Sequence, residues 1–170
     1  MLKKEARILG LSATTRRGRT TFVVGAVFRG RFWLDGLLTC SLESGRSDHI
    51  SKLSRAIKKS RQYSQLHAVI LSRERLIPGR DIDIANLARK LRLPVILVIK
   101  KRSRRIKKGS YDLVINGKNV SVLACGISPG RVEEIFTVAC AGDYPIPEAT
   151  RVTDLIAEQV TLKWNSLGLG

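Results

Sequence analysis

Three short runs of cations carry most of the chemistry visible in this chain. Arg16, Arg17 and Arg19 follow one apolar segment, and Arg73 and Arg75 follow another. Lys100, Lys101, Arg102, Arg104, Arg105, Lys107 and Lys108 then place seven positive charges in nine residues after a third. Guanidinium and ammonium groups donate hydrogen bonds and accept none, so such runs can hold phosphate but cannot draw a proton from water. Acids that could do so are sparse in the same regions: Asp48, Asp83, and Glu74, which stands between Arg73 and Arg75. Cys40, Cys125 and Cys140 are an odd number at spacings that match no zinc or redox pattern, and each lies in an apolar stretch, which reads as reduced core thiols. His49 and His67 are not spaced as a helical pair, so a histidine metal or acid/base site has little support.

The whole chain of 170 residues carries 31 Lys+Arg against 14 Asp+Glu, a formal +17. The charge is unevenly placed. Only Lys118, Arg131, Arg151 and Lys163 lie beyond residue 110, so residues 1–110 hold 27 bases and 7 acids (+20) and the rest 4 and 7 (−3). A surface of that kind repels itself unless it meets a polyanion. A thermophile-type surface would raise acids together with bases, and here they part company. Aromatic residues are 5% of the chain, which argues against base stacking as the main binding mode and for phosphate contacts. No apolar run reaches the roughly 20 residues of a membrane span. Residues 1–7 pass into a strand-like run without a leader's apolar region, so a cytosolic protein is expected. The length suits one domain over 1–170.

The cation runs depend on the elements around them, the first of which, Arg7–Leu11, reads as a short strand. Phe22–Phe28 and Phe32–Leu42 read as two more, joined so tightly by Arg29-Gly30-Arg31 that they form an antiparallel hairpin. From Asp48 the period becomes helical, with Ile50, Leu53 and Ile57 on one face and Ser47 or Asp48 as N-cap. Ala68–Leu71 is a buried strand, Ile84–Leu91 a helix, and Pro94–Ile99 an aliphatic strand. Tyr111–Ile115 and Val120–Cys125 flank Asn116-Gly117, the favoured dipeptide of a tight hairpin. Two helices follow, the first with Val132, Ile135, Phe136 and Ala139 on one face. The second carries a stripe of Val152, Leu155, Ile156, Val160 and Trp164 expected to face the core. Strand and helix alternation predicts an α/β fold: an antiparallel meander leading into parallel strands, with helices on the faces of a mixed sheet. All three cation runs follow the ends of strands predicted to be parallel, at one edge of that sheet.

Several segments in this order resemble an archaeal family related to endonuclease V, some of whose members are described as endonucleases acting at deoxyuridine. They are Arg7-Ile-Leu-Gly10, Val23-Val-Gly-Ala-Val-Phe-Arg-Gly30, Trp33-Leu-Asp-Gly36, Asp83-Ile84, Leu93-Pro-Val-Ile-Leu-Val98 with Lys100-Lys101, Gly126-Ile127, Pro147-Glu148, Arg151-Val152 and Leu155-Ile-Ala157. The resemblance covers most of the chain and implies a ribonuclease H-like fold, in agreement with the mixed sheet. In that family the first strand runs into Gly-Ile-Asp-Asp-Gly-Pro-Phe and a later one into Leu-Asp-Gly-Ile-Thr, acids that would hold the Mg²⁺ of a nuclease. The matching stretches here are Gly10-Leu11-Ser12-Ala13-Thr14-Thr15-Arg16 and Leu71-Ser72-Arg73-Glu74-Arg75. Ser12, Ala13 and Ser72 thus stand where the resemblance implies aspartates. Asp48 and Asp83 match two others that precede helices.

The expectation is a nucleic-acid binder without catalysis, metal or cofactor, preferring RNA to DNA and, in its most specific version, associated with the ribosome. The cation runs would be its binding residues. The competing expectation is a Mg²⁺-dependent endonuclease on deaminated or structured nucleic acid, built from Asp48, Asp83 and Glu74. A scaffold that meets no nucleic acid is disfavoured by the +20 of residues 1–110.

Overall fold

A computed structural model describes residues 1–14, 18–99 and 107–168. Seven strands form one sheet in the order β3-β2-β1-β4-β5-β7-β6. The strands are β1 (Arg7–Ala13), β2 (Thr20–Arg29), β3 (Trp33–Glu43), β4 (Leu66–Leu71), β5 (Val95–Ile99), β6 (Tyr111–Ile115) and β7 (Lys118–Cys125). The helices are α1 (His49–Lys58), α2 (Ile84–Leu91), α3 (Pro129–Ala139) and α4 (Glu148–Ser166). β1, β4 and β5 are parallel; β2 and β3 run antiparallel on one side and β7 and β6 on the other. The mixed sheet expected from the sequence is therefore the observed one. Asn116 and Gly117 hold φ values of 51° and 73°, the left-handed pair that a two-residue hairpin requires.

Alternation along β1, β4 and β5 buries both faces of the sheet. Leu9, Leu11, Val69, Leu71, Val95 and Leu97 pack on one side with Leu53 and Ile57 of α1 and Leu87 and Leu91 of α2. Ile8, Ile70, Ile96 and Val98 pack on the other with Val132, Ile135 and Phe136 of α3 and Ala149 of α4. Strands buried on both faces explain why β4 and β5 read as almost continuous aliphatic runs. Asp35 on β3 ties the meander together at the start of β1. It accepts hydrogen bonds from Arg7 Nε at 2.6 Å and Arg29 Nη2 at 3.1 Å, and the Arg7 bond leads the causes that hold its carboxyl below the ordinary aspartate value.

Two expectations hold only in part. Asp48 is the N-cap residue of α1, as expected, but its side chain makes no cap hydrogen bond; its carboxylate is turned to Arg46, with both contacts at 3.1 Å. The stripe expected to bury α4 faces the core only in part: Val152 packs against the cluster beneath α3, and Trp164 lies against Phe22 with ring centroids 5.0 Å apart. Leu155 is 46% exposed, Val152, Ile156, Val160 and Trp164 are half-buried, and the buried residues are Ala149, Thr150, Thr153 and Ala157. The reason lies in β1. A Cβ on Gly10 would stand 2.3 Å from the backbone carbon and oxygen of Ala149, so α4 crosses the strand too closely for large side chains at the contact. Among the described residues no helix is long and apolar enough to cross a membrane.

Candidate nucleic-acid interface

β1 and β4 end side by side, with Leu11 paired to Leu71, so the next residue on each strand meets the same space above the sheet edge. Those residues are Ser12 and Ser72, buried at 0% and 4% exposure. Both hydroxyls lie 2.6 Å from the same oxygen, Oδ1 of Asp154 on α4. A carboxylate only accepts, so each serine donates, and one ionised oxygen satisfies two buried hydroxyls. Arg73, next along the chain, brings its Nε to 3.8 Å of the same oxygen. Ala13 faces the opposite side of the sheet, in the cluster beneath α1 and α2.

Asp154 was not among the residues singled out by sequence. It lies within the apolar stripe read for α4, and its partners are 142 and 82 positions away. The available signal was the run of small and polar residues at 150, 153, 154 and 157, a helix face too small for a core and suited to close approach.

The three acids that were singled out have other work. Asp83 caps α2 by accepting from Asn86 N–H at 2.9 Å. Asp48 is held by Arg46, whose hydrogen bond is the leading cause lowering its pKa. Glu74 does not pair with the arginines beside it in sequence; Lys107 reaches it at 3.5 Å and also reaches Asp81 at 3.2 Å. Arg75 completes that network with Asp81 at 2.8 Å. Asp81 is therefore an acid the sequence reading passed over, and its carboxyl is held low first by the Arg75 hydrogen bond and then by that of Lys107. Among the described residues, no three histidine, cysteine or acidic side chains gather as metal ligands.

Of the cation runs, Arg73, Arg75 and Lys107 stand at this edge with carboxylate partners, while Arg19 and Lys108 are exposed. Arg16, Arg17, Lys100, Lys101, Arg102, Arg104 and Arg105 lie outside the described residues. On the α1 and α2 face of the same edge is a cavity of about 210 Å³, walled by Leu42, Leu53, Leu76 and Ile77 with His49, Arg80 and Asp83 at its polar side. His49 Nε2 lies 2.7 Å from the Glu43 carbonyl and must donate to it, leaving Nδ1 to accept from Arg80 at 3.5 Å. Burial of Cys140 raises its thiol pKa to about 12, which leaves it a core group.

Comparison with known proteins places this geometry. The family model for Endonuclease dU matches residues 4–109. A UPF0215 protein of Methanosarcina barkeri is 35% identical, covering 95% of this chain and 93% of its own length. Another, from Methanosarcina mazei, is 30% identical with 95% and 93% covered. Among solved structures, a protein of unknown function from Archaeoglobus fulgidus superposes with a TM-score of 0.75 at 20% identity over 91% of this chain and 97% of that one. Human endonuclease V gives 0.67 at 11% identity over 93% and 85%. Ciona intestinalis endonuclease V, in complex with a 24mer DNA containing inosine, gives 0.63 at 12% over 93% and 86%. The family match over residues 4–109, together with the near full-length relatives, means that the chain belongs to the Endonuclease dU (UPF0215) family, on an endonuclease V-like, ribonuclease H-like fold.

Proposed function

We propose that this member binds nucleic acid at the edge where β1, β4 and β5 end, RNA in preference to DNA, and does not cleave it. The observation that carries the reading is the Ser12–Asp154–Ser72 arrangement. Mg²⁺ asks for several oxygen ligands in near-octahedral order, usually with more than one carboxylate when it drives phosphodiester hydrolysis. The space between the strand ends offers two serine hydroxyls already donating to one carboxylate, with a guanidinium 3.8 Å away. That donor set does not fit the metal. The +20 of residues 1–110 supports phosphate as the ligand, and the resemblance to ribosomal proteins in charge and small aromatic content supports RNA and, more narrowly, a ribosomal setting.

A salt titration tests the reading. Each phosphate contact releases counterions, so log K falls with log salt by about 0.9 per contact on duplex and about 0.7 on single strands. Changing Lys101, Arg102, Arg104 and Arg105 together to Ser should weaken binding on all sequences alike and lower the slope by roughly two to four, while Lys58→Ser with Lys59→Ser on α1 should change it less. A helix variant that loses the slope while the loop variant keeps it moves the interface to the helical face and ends this proposal.

A second reading is favoured by Asp154 itself, because it supplies a carboxylate where the strand ends meet. In that reading the chain is a metal-dependent endonuclease on deaminated or structured nucleic acid, and the neighbouring cavity receives a base turned out of its strand. Cleavage of deoxyuridine-, deoxyinosine- or inosine-containing strands that Mg²⁺ restores after chelation, and that Asp154→Asn abolishes, selects it over the first.

A further inference from the structure

We propose that the cleft between α3, the segment before β1 and the β2–β3 hairpin is a binding site for a guanine nucleotide. Its volume is about 650 Å³, within the roughly 300–1,000 Å³ of small-molecule sites. The cleft lies at the start of β1, where Arg7 pairs with Arg29. Ser12 stands five residues further along that strand, roughly 17 Å away at about 3.3 Å per residue, so this is a different place from the edge where β1 and β4 end.

Two rings and four charges in its wall lack a full complement of partners. Phe32 and Trp33 are 73% and 67% exposed. The other phenylalanines and the other tryptophan are packed: Phe28 and Phe136 in the core, Phe22 and Trp164 against each other. Arg31 lies over Phe32, its guanidinium carbon 5.1 Å from the ring centroid, and donates to the Cys140 carbonyl at 3.4 Å. Neither partner carries a charge, so these contacts hold the cation at the cleft without neutralising it. Lys4, Glu5 and Glu133 line the same wall, and among the described residues neither they nor Arg31 form an ion pair. Their neighbours are already engaged, Arg29 with Asp35, and Glu134 with Arg131 and the Leu2 amide.

That combination selects the ligand. An apolar side chain from a protein partner would cover the rings and leave four charges stranded. Inorganic phosphate would use the cations alone. A nucleotide meets all three needs, with its base stacked on Trp33, its phosphate on Lys4 and Arg31, and hydrogen-bond donors for the carboxylates. Guanine is the base that fits a carboxylate, because its N1–H and N2 amino group are adjacent donors matched to two acceptor oxygens. Adenine and cytosine set an acceptor nitrogen beside the amino group, and uracil flanks its one N–H with carbonyls. Glu133, fixed on α3, takes the base edge, and Glu5, beside Lys4, takes ribose hydroxyls. One stacked base here leaves the phosphate-binding edge beyond β1 untouched, and either proposal can fail alone.

Tryptophan fluorescence of nuclease-treated full-length protein tests it, with Trp33→Leu identifying the part of the signal that belongs to the cleft. GMP should quench that part saturably. AMP, guanosine and inorganic phosphate should each bind about tenfold or more weakly, as expected for loss of one charge-assisted contact. Glu133→Gln should abolish the preference for GMP over AMP, and Arg31→Ser that for GMP over guanosine, both with Tm kept because both side chains are exposed. The nucleotide can be free or part of a strand, and a competing single-stranded RNA separates the two. A guanine-containing strand that binds more tightly than GMP assigns the site to RNA, and one that binds less tightly assigns it to free nucleotide. No saturable quenching by GMP or by that strand, equal response to guanine and adenine in both forms, or preferences that survive both substitutions overturns the proposal. So does a protein partner that shields Trp33 and ignores added GMP.

Discussion

The Ser12 hydroxyl stands 2.6 Å from Oδ1 of Asp154, joining the penultimate residue of β1 to a helix 142 positions further on. Ser72 reaches the same oxygen from the parallel neighbour strand. A carboxylate set between two buried hydroxyls is a structural bond first: it draws α4 onto the strand ends and leaves neither serine unsatisfied.

Removing that carboxylate should separate stability from binding. Asp154→Ala strands two buried donors, so unfolding in urea should show a loss of about 1–3 kcal/mol. It also deletes a negative charge from a positive edge, so the folded variant should hold RNA more tightly. Weaker binding at full folding would mean that Asp154 orders the cations instead of opposing them.

The converse change gathers charge. Ser12→Asp with Ser72→Asp sets three carboxylates together, and without a counter-ion the cost should be about 3–5 kcal/mol, on the order of 10 °C in Tm for a chain of this size. RNA affinity should fall, because Arg73 turns to the new acids. Thermal melts with EDTA and with Mg²⁺ then read the geometry directly. Recovery by Mg²⁺ shows carboxylates placed to share an ion; identical melts show that they are not.

Asp35 predicts a pH signature. The Arg7 hydrogen bond lowers its pKa, so the unfolded chain binds its proton first as pH falls, and the stabilisation it gives is whole above the ordinary aspartate value near 4. Below that, the advantage of the wild type over Asp35→Asn should shrink as pH passes through the lower folded value. At pH 7 the variant should lose about 1–2 kcal/mol, since Arg7 and Arg29 give up their acceptor. A difference that stays constant from pH 7 to pH 2 would assign the effect to packing.

Gly10→Ala should cost more than any surface change, about 3 kcal/mol or above, because its Cβ meets backbone and not a side chain that could swing away. Hydrogen exchange should place the damage in α4, with the strands less affected. Uniform loss of protection across the sheet would show that β1 moves instead.

What the sequence disclosed followed the range of the interaction. α2 was legible residue for residue from Ile84 to Leu91, since its apolar period is local; the cap by Asp83 and the left-handed Arg92 that ends the helix emerged only in the structure. The Asn116-Gly117 hairpin was legible for the same reason. Asp154 was not, because nothing near it in the chain hints at two serines on distant strands. The buried face of α4 was missed because the expected stripe measures apolarity, whereas the contact with Gly10 selects smallness. Asp48 and Asp83 drew attention as acids that precede helices; they serve neighbours two and three residues away, respectively.

The close crossing at Gly10 also joins the two charge populations of the chain. α4 is the last element in chain order and belongs to the part that carries −3, yet it brings Asp154 to strand ends that lie in the part that carries +20. The strand that accepts this helix does so at a residue with no side chain, so a single missing Cβ lets a distant carboxylate reach the most basic region of the molecule.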